Sequence, residues 1–399
     1  MHEILTGDCL EVLKSYPDNN FTSIITDPPY GLSFMGKKWD YDVPSVEIWK
    51  ECLRVLKPGG TMLCFAGSRT QHRMAVNVED AGFLIKDCLL WLYGSGFPKA
   101  TDISKQLDKI AGAEREVIGT QPAGTGPLKT GHTEISGGGF IGEERSPMIK
   151  ITAPSTPEAQ LWNGYKSHGL KPAYEPIIMA MKPNDGSYAA NALKHGVSGI
   201  NIDAGRIGTD TVKTSVAGGK GFGSNFRDDN WKPPEEGYTV TNQGRFPANI
   251  LLDEEAAEQL GEPSRFFYTA KASKAERNKG CEGLEEKHVA WSNQAKAELA
   301  RGNTEFRNKD ETTAKHNKVQ SLKNSHPCVK PISLMKYLLK LLQPPKDGLL
   351  LDPFAGSGTT IVAAKSLGFN AIGIEKSEEY SKIAKARIAA ENLPEKDLF

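Results

Sequence analysis

Phe21-Thr22-Ser23-Ile24-Ile25-Thr26-Asp27-Pro28-Pro29-Tyr30 is an apolar, largely β-branched run that ends in an acid, two prolines and an aromatic ring. Its first six residues have the composition of a buried strand in a parallel sheet. The tetrapeptide Asp27-Pro28-Pro29-Tyr30 is thereby placed at the strand's carboxyl end, the edge of an open α/β sheet where ligands bind. Successive prolines lack N–H groups and fix φ, so this backbone cannot pair as a strand and its carbonyls are left to accept other donors. A carboxylate, free carbonyls and an aromatic face within one turn suit a planar base that carries an exocyclic amino group. A proline-rich surface turn would look the same in isolation, so the rest of the chain must supply the context.

Working outward, Glu3 to Thr6 reads as a strand and Cys9 to Tyr16 as a helix, which puts Asp8 at the same edge as Asp27. Downstream, a helix over Pro44 to Leu56 stops at Lys57-Pro58-Gly59-Gly60, and a strand over Thr61 to Ala66 follows. A helix near Gln71 to Asp80 and a strand over Leu84 to Trp91 repeat the cycle. Alternating strands and helices with short links predict a parallel sheet. Gly31 to Tyr41 has neither period and reads as a loop over the site. Its Lys37, Lys38 and Trp39 either touch a phosphate backbone or belong to a solvated loop.

The rhythm fails between Gly94 and about Tyr165, an insertion with one clear helix near Ile103 to Ala111. Glu175 to Met181 restores a strand. From Pro183 to about Asn324 the rhythm fails again, and Arg227, Trp231 and Arg245 lie in a glycine-rich stretch. Interleaved aromatic and cationic residues of this kind suit nucleic-acid contact, as does the excess of 13 Lys+Arg over 8 Asp+Glu from Arg265 to Asn324. A solvated face would carry the same charges.

The last stretch is equally informative. His326-Pro327-Cys328-Val329-Lys330-Pro331 leads into a helix with Leu334, Tyr337, Leu338, Leu341 and Leu342 on one face. Gly348 to Leu351 is a buried strand, Asp352-Pro353-Phe354-Ala355-Gly356-Ser357-Gly358-Thr359-Thr360 a glycine-rich turn, and Asn370 to Ile374 a strand that ends at Glu375. A glycine-rich turn between strand and helix, with an acid 17 residues after Gly358, is how α/β folds hold a nucleoside. Ile361 stands where a dinucleotide fingerprint needs its third glycine, and no G-x-x-x-x-G-K-[ST] is present. A nucleoside without phosphates is the better ligand, and S-adenosylmethionine has that description. Two strands are too few to fold alone, so the two ends of the chain must build one sheet.

Composition sets outer bounds. A chain of 399 residues with 38% hydrophobic content has room for two or three domains, and 49 Lys+Arg against 49 Asp+Glu means that any basic surface is local. The six cysteines form no C-x-x-C pair, which argues against structural zinc and a disulfide framework. With no basic-then-apolar leader and no run of about 18 apolar residues, a cytoplasmic protein away from membranes is expected.

Taken together, the chain resembles the amino-group DNA methyltransferases, specifically the permuted β class in which D-P-P-Y precedes F-x-G-x-G. Asp27-Pro28-Pro29-Tyr30 matches the catalytic motif, Phe354-Ala355-Gly356-Ser357-Gly358 the cofactor motif, and His326-Pro327 with Lys330-Pro331 the flanking motif. The match covers about residues 1 to 182 and 325 to 399. The resemblance implies a Rossmann-like, circularly permuted S-adenosylmethionine-dependent methyltransferase fold, α/β with a mostly parallel sheet. Residues 1–182 and 325–399 would form its catalytic and cofactor halves, and residues 183–324 an inserted target-recognition region. It further implies that Asp27 and the Pro28 carbonyl accept from the amino group of a flipped-out base stacked on Tyr30. Cofactor contacts would come from Asp8, Lys330, Asp352, Phe354, Gly356, Gly358 and Glu375, with Glu375 on the ribose and Asp8 near the adenine. Double-stranded DNA is the implied partner, with a homodimer and a cognate restriction endonuclease as family-level expectations. Asp27 resembles the adenine-modifying members, whereas serine is more usual in the N4-cytosine members. N4-cytosine methylation, an RNA substrate and a non-catalytic DNA-binding role remain alternatives.

Overall fold

The computed structural model describes residues 1–32, 40–94, 100–122, 148–216, 238–271, 275–290, 297, 299–303, 319–346 and 348–394. Lys37, Lys38, Trp39, Arg227 and Trp231 lie outside the described residues. The described strands are β1 (His2–Thr6), β2 (Phe21–Thr26), β3 (Leu56–Phe65), β4 (Leu84–Leu92), β5 (Val117–Pro122), β6 (Met148–Thr152), β7 (Tyr174–Met181), β8 (Ile207–Val216), β9 (Tyr238–Arg245), β10 (Ile250–Asp253), β11 (Tyr268–Ala270), β12 (Lys287–Ala290), β13 (Val319–Leu322), β14 (Leu349–Asp352) and β15 (Asn370–Glu375).

Nine of these form one sheet in the order β1-β15-β14-β2-β3-β7-β4-β10-β11. Every neighbouring pair is parallel except those made by β7, which runs against both β3 and β4. The expectation of a shared, mostly parallel sheet holds, because β14 lies between β15 and β2 and joins the two ends of the chain. All six residues of β2 are buried, as its apolar run required. Alternation along the strands feeds two cores, one on each face of the sheet. Ile25, Leu63 and Phe65 pack with the helices Ile332–Leu342 and Thr359–Ser366, whereas Ile24, Met62 and Cys64 pack with Cys9–Lys14, Val46–Val55 and Gln71–Asp80.

This distribution creates the switch point. From β14 the chain passes through a helix of the first core to β15, away from β2; from β2 it passes through a helix of the second core to β3, away from β14. Connections that leave adjacent strands in opposite directions open a crevice at their carboxyl ends. Asp27 follows β2 and Asp352 closes β14, so the two informative turns flank that crevice.

Two expectations need correction. Lys57-Pro58-Gly59-Gly60, read as a turn, is part of β3, which begins directly after the helix Val46–Val55. The register with β2 slips between Phe21 and Ser23 to absorb it, and Gly59 sits at φ 75° where an added Cβ would lie 2.3 Å from Asn191 Nδ2. The sequence shows no α/β rhythm over residues 183–324, yet β10 and β11 extend the main sheet beyond β4 in parallel. Strands of four and three residues are too short for a period to show.

By its contacts the chain divides into two compact units. Met1–Ser95, Ala173–Gly283 and His326–Phe399 form the first, with the main sheet and the antiparallel pair β8–β9. Gly96–Pro172 and Leu284–Ser325 form the second, which contains the antiparallel pairs β5–β6 and β12–β13. Within it, the Asp108 carboxylate accepts from Ser155 N, Thr156 N and Arg115 Nη1 and so ties the helix Ile103–Ile110 to the segment after β6. Among the described residues no helix is long and apolar enough to cross a membrane.

Candidate active site

The turn after β2 is held from two sides. Asp40, 2% exposed, accepts from the backbone N–H groups of Tyr30 (2.6 Å), Gly31 (3.0 Å) and Leu32 (3.3 Å). Thr70 Oγ1 donates to the Tyr30 carbonyl at 2.6 Å. A carboxylate that gathers three consecutive amides fixes a backbone that its prolines have barred from sheet pairing.

Within this frame Tyr30 Oη donates to Asp27 Oδ1 at 2.6 Å, and Lys330 Nζ donates to Asp27 Oδ2 at 2.6 Å. Lys330 Nζ also lies 3.1 Å from Tyr30 Oη and 3.2 Å from Glu175 Oε2, and Tyr30 Oη lies 3.2 Å from the same Glu175 oxygen. The ammonium sits over the rings of Phe65 (4.9 Å) and Tyr30 (5.4 Å). Burial disfavours the charged form of Lys330, but the Asp27 and Glu175 carboxylates outweigh it and hold its pKa above the usual lysine value. Burial, reinforced by Asp27 and Glu175, raises the Tyr30 phenol as well, so the hydroxyl is a neutral donor.

Across the crevice, Glu375 at the end of β15 shapes the glycine-rich turn. Its Oε2 accepts from Gly356 N at 2.8 Å and its Oε1 from Ser377 N at 2.7 Å. Burial raises its pKa, and these backbone donors partly restore the charged form. Each oxygen keeps lone pairs for a further donor. Asp8 caps the helix Cys9–Lys14 by accepting from Leu10 N (3.0 Å) and pairs with Lys376 (2.9 Å), whose hydrogen bond lowers its pKa.

Several sequence-predicted residues also have partners within the protein. Lys330, expected among the cofactor residues, lies against the Asp27–Tyr30 turn. Asp352 is 2% exposed and its Oδ1 accepts from Thr26 Oγ1 (2.8 Å) and Phe354 N (3.1 Å), so it braces the two strand ends against each other. The Phe354 ring is partly buried against the second core, 6.2 Å from Trp49. Gly358, at φ 77°, is needed for packing, since an added Cβ would lie 2.8 Å from Ala384 Cβ in the helix Glu378–Ala389. At Gly356, φ 54°, a Cβ would lie 2.9 Å from His326 Nε2. Arg245 is paired with Asp210 at 2.9 Å and lies over the Phe266 ring at 5.2 Å. Asp40, Glu175 and Thr70 were not singled out in the sequence. Asp40 stands ten residues after Tyr30, close enough that a search for an acceptor of the Pro-Pro turn's amides would have found it.

A parallel sheet with one reversed strand, and two ligand-edge turns on adjacent strands drawn from opposite ends of the chain, define a circularly permuted methyltransferase fold. The DNA methylase family profile (N6_N4_Mtase) matches residues 21–386, and the chain belongs to that family. It is similar to the type II methyltransferase M.HindIII of Haemophilus influenzae, 24% identical over 352 residues that make up 87% of this chain and 69% of that protein. It is also similar to the type II methyltransferase M2.DpnII of Streptococcus pneumoniae, 47% identical over 76 residues, 19% of this chain. That match spans only 28% of M2.DpnII, just over a quarter of its length. Among solved structures, PvuII DNA methyltransferase (cytosine-N4-specific) aligns over 97% of this chain and 86% of that one, with 14% identity and a TM-score of 0.43.

Proposed function

We propose that the protein transfers the methyl group of S-adenosylmethionine to the exocyclic N6 of an adenine flipped out of duplex DNA. The observation that carries this reading is the adjacency of β2 and β14, which brings the Asp27–Tyr30 turn and the Glu375-braced turn to one crevice. Bound S-adenosylmethionine would supply a sulfonium-activated methyl group. Glu375 fits that ligand as an acceptor for ribose hydroxyls, and Asp8, Phe354 and Gly356 are proposed as further contacts to it. Asp27 and the Pro28 carbonyl would accept the amino N–H groups and draw the nitrogen lone pair out of conjugation; as the N–C bond forms and the methyl–sulfur bond breaks, the surplus amino proton would leave through the Asp27 carboxylate. Tyr30 offers a ring face to the flipped base, offsetting an extrusion cost of a few kcal/mol. No covalent enzyme intermediate is needed, because the methyl carbon is already activated. Lys37, Lys38, Trp39, Arg227, Trp231 and Arg245 are proposed to contact the duplex, with residues 183–324 choosing the sequence.

The choice of N6-adenine over N4-cytosine rests on Asp27 at the first motif position, and both amino groups are chemically alike. Nucleoside analysis by mass spectrometry of duplex DNA incubated with enzyme and isotopically labelled S-adenosylmethionine decides it. Label in N6-methyladenine is the expected result; label in N4-methylcytosine alone would reject the adenine reading, and equal labelling of unstructured RNA would reject DNA as the dedicated substrate.

A further inference from the structure

We infer that Glu175 is a positioning residue that receives Lys330 and Tyr30 Oη when a target amino group displaces them from Asp27. The inference rests on the amino-group transfer proposed above and deepens it. Both oxygens of Asp27 are taken, Oδ1 by Tyr30 Oη and Oδ2 by Lys330 Nζ, each at 2.6 Å. Lys330 Nζ is a nitrogen with N–H donors placed on the acceptor that a base amino group must reach, so it occupies the amino subsite in advance. Its three N–H groups are matched by Asp27, Tyr30 Oη and Glu175 Oε2. The Lys330 side chain is only 10% exposed. An ammonium so buried cannot leave for water cheaply and needs another carboxylate within the site.

Glu175 Oε2 provides it, lying 3.2 Å from Lys330 Nζ and 3.2 Å from Tyr30 Oη, the two groups that now hold Asp27. Glu175 is on β7, paired with Trp91 of β4 on one side of that strand, and a central strand presents a fixed acceptor. Lys330 has a flexible four-carbon stem, so it is the partner able to move. A short rotation that exchanges Asp27 for Glu175 frees one carboxylate for the base while the ammonium stays paired.

The test is a double-mutant cycle between Glu175→Gln and Lys330→Met, read as single-turnover methyl transfer to unmethylated phage DNA. Calorimetric S-adenosylmethionine affinity of each variant serves as the fold control. Glu175→Gln is expected to slow transfer by about 10- to 100-fold, the weight of a charge-assisted hydrogen bond, with cofactor affinity unchanged. In the Lys330→Met background, where no ammonium needs a second site, the same substitution is expected to change the rate less than about threefold. Glu175→Asp, which keeps the charge at shorter reach, should fall between and replaces the Gln variant in the cycle if that variant is insoluble. An equal penalty in both backgrounds, or a Lys330→Met protein with no transfer at all, would overturn the inference while leaving the proposed reaction in place. A wild-type protein that labels no amino group would instead overturn the proposed function and the inference with it.

Discussion

Asp27→Ala isolates the acceptor from the scaffold. The substitution removes the partner of Tyr30 Oη and of Lys330 Nζ, both at 2.6 Å. Stripping one member from a buried ion pair costs about 3–5 kcal/mol when the other is left alone. Lys330 is not left alone, because Glu175 Oε2 remains 3.2 Å from it. The stability loss should therefore be nearer the value of one hydrogen bond to a charged group, about 1.5–3 kcal/mol. Transfer should suffer more, since a preorganised partner at the reacting nitrogen is worth about 10²–10³ in rate. Thermal unfolding, cofactor calorimetry and single-turnover transfer on the same preparation separate these effects. A folded variant that binds cofactor and is at least 100-fold slower is the expected outcome. Near wild-type single-turnover rates would refute Asp27 as the acceptor. Loss of cofactor binding in step with transfer would show that the two turns are not separable.

Tyr30→Ala should slow transfer more than Tyr30→Phe, because Phe keeps the ring face and loses only the Oη contacts; equal damage in single-turnover assays would assign the role to the hydroxyl. Gly358→Ala should lower the unfolding temperature and weaken cofactor binding, since the new methyl meets Ala384 at a residue with φ 77°; unchanged calorimetry and unfolding would refute the packing account. Burial pushes Asp352 up to about 6 and His326 down to about 4, so their pH effects oppose each other. The raised Asp352 gives stability that is full below an unfolded carboxyl pKa near 3.8 and lost as pH rises to about 6, whereas the lowered His326 gives stability that is full above 6.5 and lost as pH falls to about 4. Asp352→Asn should therefore make stability rise more steeply between pH 4 and 6, and His326→Gln should make it fall with pH; identical denaturant midpoints in that window would contradict both. Deleting residues 346–399 removes β14 and β15 from between β1 and β2, so the remainder should be insoluble, and a cooperatively unfolding fragment would refute the shared sheet.

What the sequence revealed follows from the range of each interaction. β2 and β14 announce themselves because every residue in the first, and most in the second, is buried, which leaves a run of apolar and small hydroxyl residues without charge that ends in a distinctive turn. The joining of the two ends was legible from strand counting alone. Glu175 was not, because it enters the site from a strand 145 residues away from Tyr30 and its own neighbours in sequence give only the signal of a strand. Lys330 was visible as part of a motif, but a motif does not say which side of the crevice its ammonium will choose. The reason for Gly358 was likewise hidden, since it lies in a helix whose Ala384 fills the space.

The braces between strand ends explain why the order of the motifs along the chain is immaterial to the site. Thr26 closes β2 and donates to Asp352, which closes β14, so the two turns are locked by a bond that does not depend on how the strands are connected. Glu375 at the end of β15 performs the same service for the glycine-rich turn through Gly356 N, and the Glu375 carbonyl accepts from Gly7 N after β1. The Thr26–Asp352 and Gly7–Glu375 braces join neighbours in the sheet that are remote in sequence. A chain that runs from β2 through the middle to β14 therefore assembles the same carboxyl edge as one that runs in the other order, provided that strand adjacency is kept. The carboxyl edge is fixed by the sheet order β15-β14-β2-β3, and the chain between β3 and β14 is free to carry the long insertions found here.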